Sequence, residues 1–232
     1  MKELFKMDNP VMRFLGRMTD FMLINLLFLV FSIPIVTIGA SMTAAHKVMQ
    51  DKVYQEDRPI IKRFWKAFIG NFKQATLSWL VIMVILGAMI YNAILIPAYF
   101  GSTSTATTFY LALALISLPI LAVISYLFPM IARYDNTVRR HIYNALYMAI
   151  WKLPRTLLIV ILFLLPVALI YFFTLAFFQY IYVWLFFLFA VCFYLMNLLM
   201  KPVFDYFEQL NDGMIAKEDE TEETEEETSI SE

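Results

Sequence analysis

Charge is scarce in this chain where a soluble protein would need it. From Phe21 to Ala45 there is no Asp, Glu, Lys, Arg or His, and Gln74–Ala132 and Thr156–Met200 add 59 and 45 more residues without charge. Overall 16% of residues are charged and 61% are hydrophobic, against about 25% and 45–50% in a soluble domain. The soluble globular class is therefore excluded. The single cysteine, Cys192, rules out an intramolecular disulfide and any Cys-x-x-Cys ligand pair. The two histidines, His46 and His141, have no H-E-x-x-H context, and with Lys47, Arg139 and Arg140 beside them they read as surface residues. The six glycines form neither a phosphate loop nor a G-x-S-x-G elbow. No ionisable residue lies at mid-span, where a proton- or ion-coupled pump would carry one. Neither an enzyme nor a cofactor is expected.

What is present is hydrophobic length. A bilayer core takes about 20 apolar residues, so the charge-free runs resolve into segments at 21–45, 75–98, 109–131, 156–174 and 181–200, with turns at Gly101–Thr105 and Phe178–Tyr180. The expected fold is all-α: a polytopic helical membrane protein with four spanning helices in two hairpins and a broken or re-entrant N-terminal element. In that first segment Pro34 removes a backbone donor, and Gly39-Ala40-Ser41 offers a flexible turn ending in an N-cap residue. A cleaved signal peptide is the rival account of this end, but 25 apolar residues exceed the usual run of about 7–15.

Two polar segments read as surface helices. On a helical wheel Ile60, Ile61, Phe64, Trp65, Phe68 and Phe72 share one arc, and Lys62, Arg63, Lys66 and Lys73 lie opposite. That separation suits a helix with rings at the acyl boundary and cations at anionic lipid head groups, or one packed on the protein's own spans. Asn136–Leu153 repeats the pattern more weakly. Each surface segment precedes a hairpin, and each hairpin's second span ends in a proline and an aromatic-acid pair: Pro129 with Tyr134-Asp135, Pro202 with Phe207-Glu208. That order suggests a parallel repeat. Residues 1–210 form the membrane domain. Residues 211–232, dense in Glu and Thr, form an acidic tail expected to be disordered.

Candidate functional positions are the neutral polar residues and the helix break: Asn25, Ser32, Pro34, Gly39, Ser41 and Asn197. Helix-to-helix hydrogen bonding is the plain alternative for such groups. Asp8-Asn9-Pro10, Arg13-Phe14-Leu15-Gly16-Arg17, the run Ser32-x-Pro34-Ile35-Val36-Thr37-Ile38-Gly39-Ala40-Ser41-x-Thr43-Ala44, Trp65-x-x-Phe68, Asn71–Thr76, and Asn144-Ala145 with Pro154-x-Thr156 resemble the YesL-like bacterial membrane proteins. The resemblance covers about residues 4–210 and marks Asp8, Asn9, Pro10, Thr37 and Thr43 as family-motif positions. It implies a cytoplasmic-membrane protein of Gram-positive-type bacteria, encoded near carbohydrate uptake systems and sensor kinases, with no assigned activity. The expected role is a non-enzymatic accessory or regulatory component of carbohydrate uptake, partnered by a permease or sensor-kinase subunit. A small-solute or lipid transporter built on the hairpin repeat is the alternative. Nucleic acid is not an expected partner.

Basic residues set the topology. Lys and Arg number four in 1–20, seven in 46–73 and five in 133–155, with none in turns 99–108 and 175–180, and basic loops stay cytoplasmic. A full crossing by 21–45 would strand one basic cluster outside, whereas a break at Pro34–Ser41 and a return through Val53 would not. N-terminus and tail are then both cytoplasmic. In a Cys192→Ser background, cysteines at positions 3 and 56 should be labelled from the same side; labelling from opposite sides would establish a full first crossing.

Overall fold

The computed structural model describes residues 10–54, 56, 59–101, 104–172 and 181–230, with only the backbone from 210 onward. The described residues are helical: α1 (Pro10–Phe31), a 3-10 turn (Ile35–Thr37), α2 (Ile38–Val53), α3 (Ile60–Phe100), α4 (Ser104–Arg133), α5 (Val138–Trp151) and α6 (Leu153–Phe172). A short α7 (Ile181–Val183) leads through a π turn (Trp184–Leu188) into α8 (Phe189–Ile230). Asp8, Asn9, residues 102 and 103 of the 101–105 turn and the expected break at 178–180 lie outside the described residues, and α1 is described from Pro10.

The first hydrophobic segment folds as a helical hairpin. Pro34 cannot donate and disfavours helix at Ile33, and α1 stops at Phe31. Ser41 then donates to the Phe28 carbonyl (2.8 Å), and Lys52 Nζ meets Asp20 Oδ2 (2.6 Å). In an unbroken helix, residues 13 and 32 apart would be about 20 and 48 Å from each other. α2 therefore runs back antiparallel to α1. The break is tighter than the sequence suggests: α2 starts at Ile38 with Thr37 as its N-cap. Gly39-Ala40-Ser41 is thus a first helical turn, and Ser41 bonds across the hairpin instead of capping.

Small residues make α2 the centre of the bundle. Gly39, Ala40, Ser41, Thr43, Ala44 and Ala45 are all buried, as expected where close backbone approach replaces hydrophobic driving force. A Cβ on Gly39 would lie 2.6 Å from both the Ala75 carbonyl oxygen and Trp79 Cβ. Around this contact Phe31 packs its ring against Phe64, Trp65 and Phe68, and Phe28 against Phe189 and Phe193. A second cluster joins α4, α5, α6 and α8 through Tyr126, Met130, Met148, Ile159 and Met200.

The two surface segments behave differently. Residues 60–73 do not form a separate helix: they are the start of α3, a continuous helix of 41 residues, about 60 Å long. Ile60, Phe64 and Phe68 are buried in the core around the hairpin, so that part of the face packs on the protein's own helices, while Ile61, Trp65 and Phe72 remain exposed. The Val138–Trp151 helix, in contrast, meets α6 at 114°. Counting back 80 residues from Pro154 gives Gln74. Pro154 has no N–H to give the Ile150 carbonyl and its ring crowds that turn, so the second unit bends where the first continues. The hairpins pair as expected: Trp79 lies beside Phe128 and Tyr110 donates to the Ala93 carbonyl across α3 and α4, and Ile159 and Val160 of α6 share a core with Met196 and Met200 of α8. The α8 backbone stays helical to Ile230, past the 210/211 boundary. Glutamates four apart at 218, 222 and 226 oppose a helix there.

Gly39→Leu should lower the thermal unfolding temperature of the detergent-solubilised protein sharply. Gly87→Leu should leave it nearly unchanged, since nothing lies within 4 Å of a Cβ there.

Candidate functional site

The polar residues singled out in the first segment meet around the hairpin. Pro34 leaves the last carbonyls of α1 without helical donors. Thr37 donates its hydroxyl toward the Phe31 and Pro34 carbonyls (2.7 and 2.8 Å), and Trp79 Nε1 donates to the Ile35 carbonyl (2.7 Å). Thr43 bonds back to the Gly39 carbonyl within α2 (2.9 Å). These motif residues hold the break closed. Ser32 is the exception, because its buried hydroxyl has no partner and lines a cavity of about 320 Å³ between the hairpin, α6 and α8.

Asn25 has a more specific task. Its side chain is fully buried, Nδ2 donates to the Leu185 carbonyl (2.8 Å), and Oδ1 accepts from the Ala190 amide (2.9 Å). Those backbone groups are five residues apart, the spacing of a π-helical bond, and they flank the end of the π turn. The carboxamide thus satisfies both partners of one π-register pair.

Deeper along α2, His46 Nδ1 lies 2.8 Å from Asn197 Nδ2, which also donates to the Phe193 carbonyl. One α2 turn on, Gln50 Nε2 donates to the Pro129 carbonyl (2.8 Å). His46 and His141 are both wholly buried, which corrects their reading as surface residues: in this interior the basic neighbours occupy other helix faces. Three polar atoms on this seam, His46 Nε2, Gln50 Oε1 and Asn197 Oδ1, are buried without partners. Such atoms cost about 1–3 kcal/mol each unless water or a small polar molecule meets them. The spacing Gly39, Thr43, His46, Gln50 traces a helical stripe, a signal that could have placed His46 and Gln50 inside.

At the open end of the hairpin an ionic network gathers the ends of α2 and α4, the start of α3 and the middle of α8. Asp51 pairs with Arg63, and Arg133 grips both Glu208 oxygens (2.7 and 2.8 Å). Tyr54 donates to Asp205, and its ring lies under Arg133 (4.4 Å) and Lys201 (4.7 Å). Burial and then the Asp205 bond push the Tyr54 hydroxyl well above its ordinary range, so it remains a donor. Tyr134 donates to Glu208 (3.0 Å), bringing together the aromatic-acid elements of the two repeat units. Of the basic triad Lys62, Arg63 and Lys66, only Arg63 joins this network. Lys62 and Lys66 are exposed.

Among the described residues no group of three or more His, Cys, Asp or Glu is placed to hold a metal. The arrangement offers hydrogen-bond donors and acceptors in an enclosed helical core, and a cationic-acidic clasp at one end. The class so defined is a polytopic helical membrane protein organised on a broken hairpin. Residues 21–93, covering the hairpin from Phe21 and most of α3, match the model of the family DUF624, described as a protein of unknown function. No curated protein and no solved structure matches the chain.

Asn25→Leu should cost about 2 kcal/mol or more of stability, because it strands a carbonyl and an amide together. Asn92→Leu is the control, since Asn92 is exposed and bonds only to its own helix at Ala88. Thermal unfolding in one detergent compares them.

Proposed function

We propose that this protein is a non-enzymatic accessory or regulatory component of the bacterial cytoplasmic membrane that acts through a partner. The observation carrying this reading is where the polar groups sit. Asn25, His46, Gln50 and Asn197 are buried, and none of them lines the cavities between α3 and α5, at the α4–α5–α8 corner, beside the hairpin, or on the α3–α4 face. A solute pathway needs polar groups along an open cavity, and the polar lining of these cavities is concentrated at the α4–α5–α8 corner, at Asn136, Asn144 and Glu208, with little beyond Ser32, Ser78 and Ser117 in the others. The ionic network supports a docking end, since the exposed stretch Phe14–Arg17 of α1 precedes Asp20 and the 134–137 connection lies beside Arg133. Its basic content favours the cytoplasmic face, with N-terminus and tail on that side.

The YesL-like resemblance points to the partner's class, a carbohydrate permease or a sensor kinase. The unpartnered atoms at His46, Gln50 and Asn197 favour a second reading, a transporter of a small polar solute. Copurification of permease or kinase subunits from native membranes is the result expected. Saturable sugar flux by the purified protein alone in liposomes, above that of empty vesicles, would overturn the accessory reading in favour of transport.

A further inference from the structure

An apolar groove of about 430 Å³ runs between α3, α4 and α5, walled by Leu77, Val81 and Ile85 on α3, Pro119 and Val123 on α4, and Ile142 on α5. Leu77 to Ile85 gives it a length of about 12 Å. Its lining contains one polar residue, Ser78, 3% exposed, whose hydroxyl has no hydrogen-bond partner. Gln74 Nε2 donates to the Asn136 carbonyl (2.8 Å) and ties α3 to the 134–137 connection at the end nearest the ionic network. Two cations flank that end. Lys73 precedes Leu77 by one helical turn, and Arg139 follows Val138, itself a lining residue. On the α5 wheel Arg139 falls about 60° from Ile142, on the groove side of the helix. Neither Lys73 nor Arg139 is in an ion pair among the described residues. The 114° turn between α5 and α6 lays α5 across the direction of the spans, so its cations sit at an interface level.

From this placement we infer a binding site for one anionic phospholipid: an acyl chain in the α3–α4–α5 groove and the phosphate between Lys73 and Arg139. An apolar slot alone would take any lipid tail. Cations at one end of it, Arg139 lying over the Tyr143 ring (5.6 Å) and neither in an ion pair, repeat the order of a phospholipid from tail to head. Lys62 and Lys66 are equally exposed on α3 but lie away from the groove, so they separate a seated lipid from diffuse attraction.

The test is native mass spectrometry of the full chain in mild detergent, with phosphatidylglycerol or phosphatidylcholine of identical acyl chains added. One phosphatidylglycerol should be retained in preference to phosphatidylcholine. Lys73→Gln and Arg139→Gln should each weaken it about fivefold, leaving phosphatidylcholine unaffected. Lys62→Gln and Lys66→Gln should change neither, and Val81→Trp should displace the lipid. If Val81→Trp does not fold, Ile142→Trp blocks the groove from its other wall. Equal retention of both lipids, an equal effect of Lys62→Gln, or retention in a folded groove-blocked variant would each overturn the site.

Discussion

The backbone freed where the first helix breaks constrains everything packed around it. In an apolar surround an unmet carbonyl or amide costs several kcal/mol, so irregular backbone persists only where protein groups meet it. Pro34 creates the need; Thr37 meets it at the Phe31 carbonyl, and Ser41 and Trp79 add second donors to the Phe28 and Ile35 carbonyls on either side of the break. Because Trp79 belongs to α3 and Gly39 lets α3 come within contact of α2, the same interaction that closes the break also fixes where the third helix lies. The hairpin's open end then falls beside Arg63, Arg133 and α8, and the ionic network becomes possible.

The hairpin is also fixed in depth. Ser41 to Phe28 ties its two legs, Asn25 ties α1 to the π turn before α8, and His46 with Asn197 ties α2 to α8 further along. A slide of one residue along α8 would break Asn25's pair of backbone bonds and misplace His46 at once. Side-chain to backbone bonds carry this specificity because apolar contacts in a lipid-facing protein discriminate register weakly.

Much of the architecture was legible from charge-free length and one proline: the long apolar segments, the doubling back at Pro34, the separate helix ahead of the second hairpin. The first surface helix was misread as separate because the wheel at 60–73 reports a two-faced helix, not where it ends. That end depends on whether position 74 or its counterpart 154 is proline, and only 154 is. The candidate site was half legible. Asn25, Ser41 and Asn197 stand out as polar residues in apolar runs, whereas His46 and Gln50 lie in a segment polar enough to pass for surface. The repeat's aromatic-acid pairs were visible, but not that Tyr134 and Glu208 bond to each other.

Composition and the spacing of charge by themselves determined that this chain is a helical membrane protein with its basic segments grouped, because bilayer thickness and the cost of buried charge act on any sequence of this kind. Which polar groups face one another was decided only by the tertiary structure. Asn25 reaches residues 160 and 165 positions away, and His46 one 151 away. Local pattern carries no information about such pairs, since they depend on how helices far apart in sequence pack against one another.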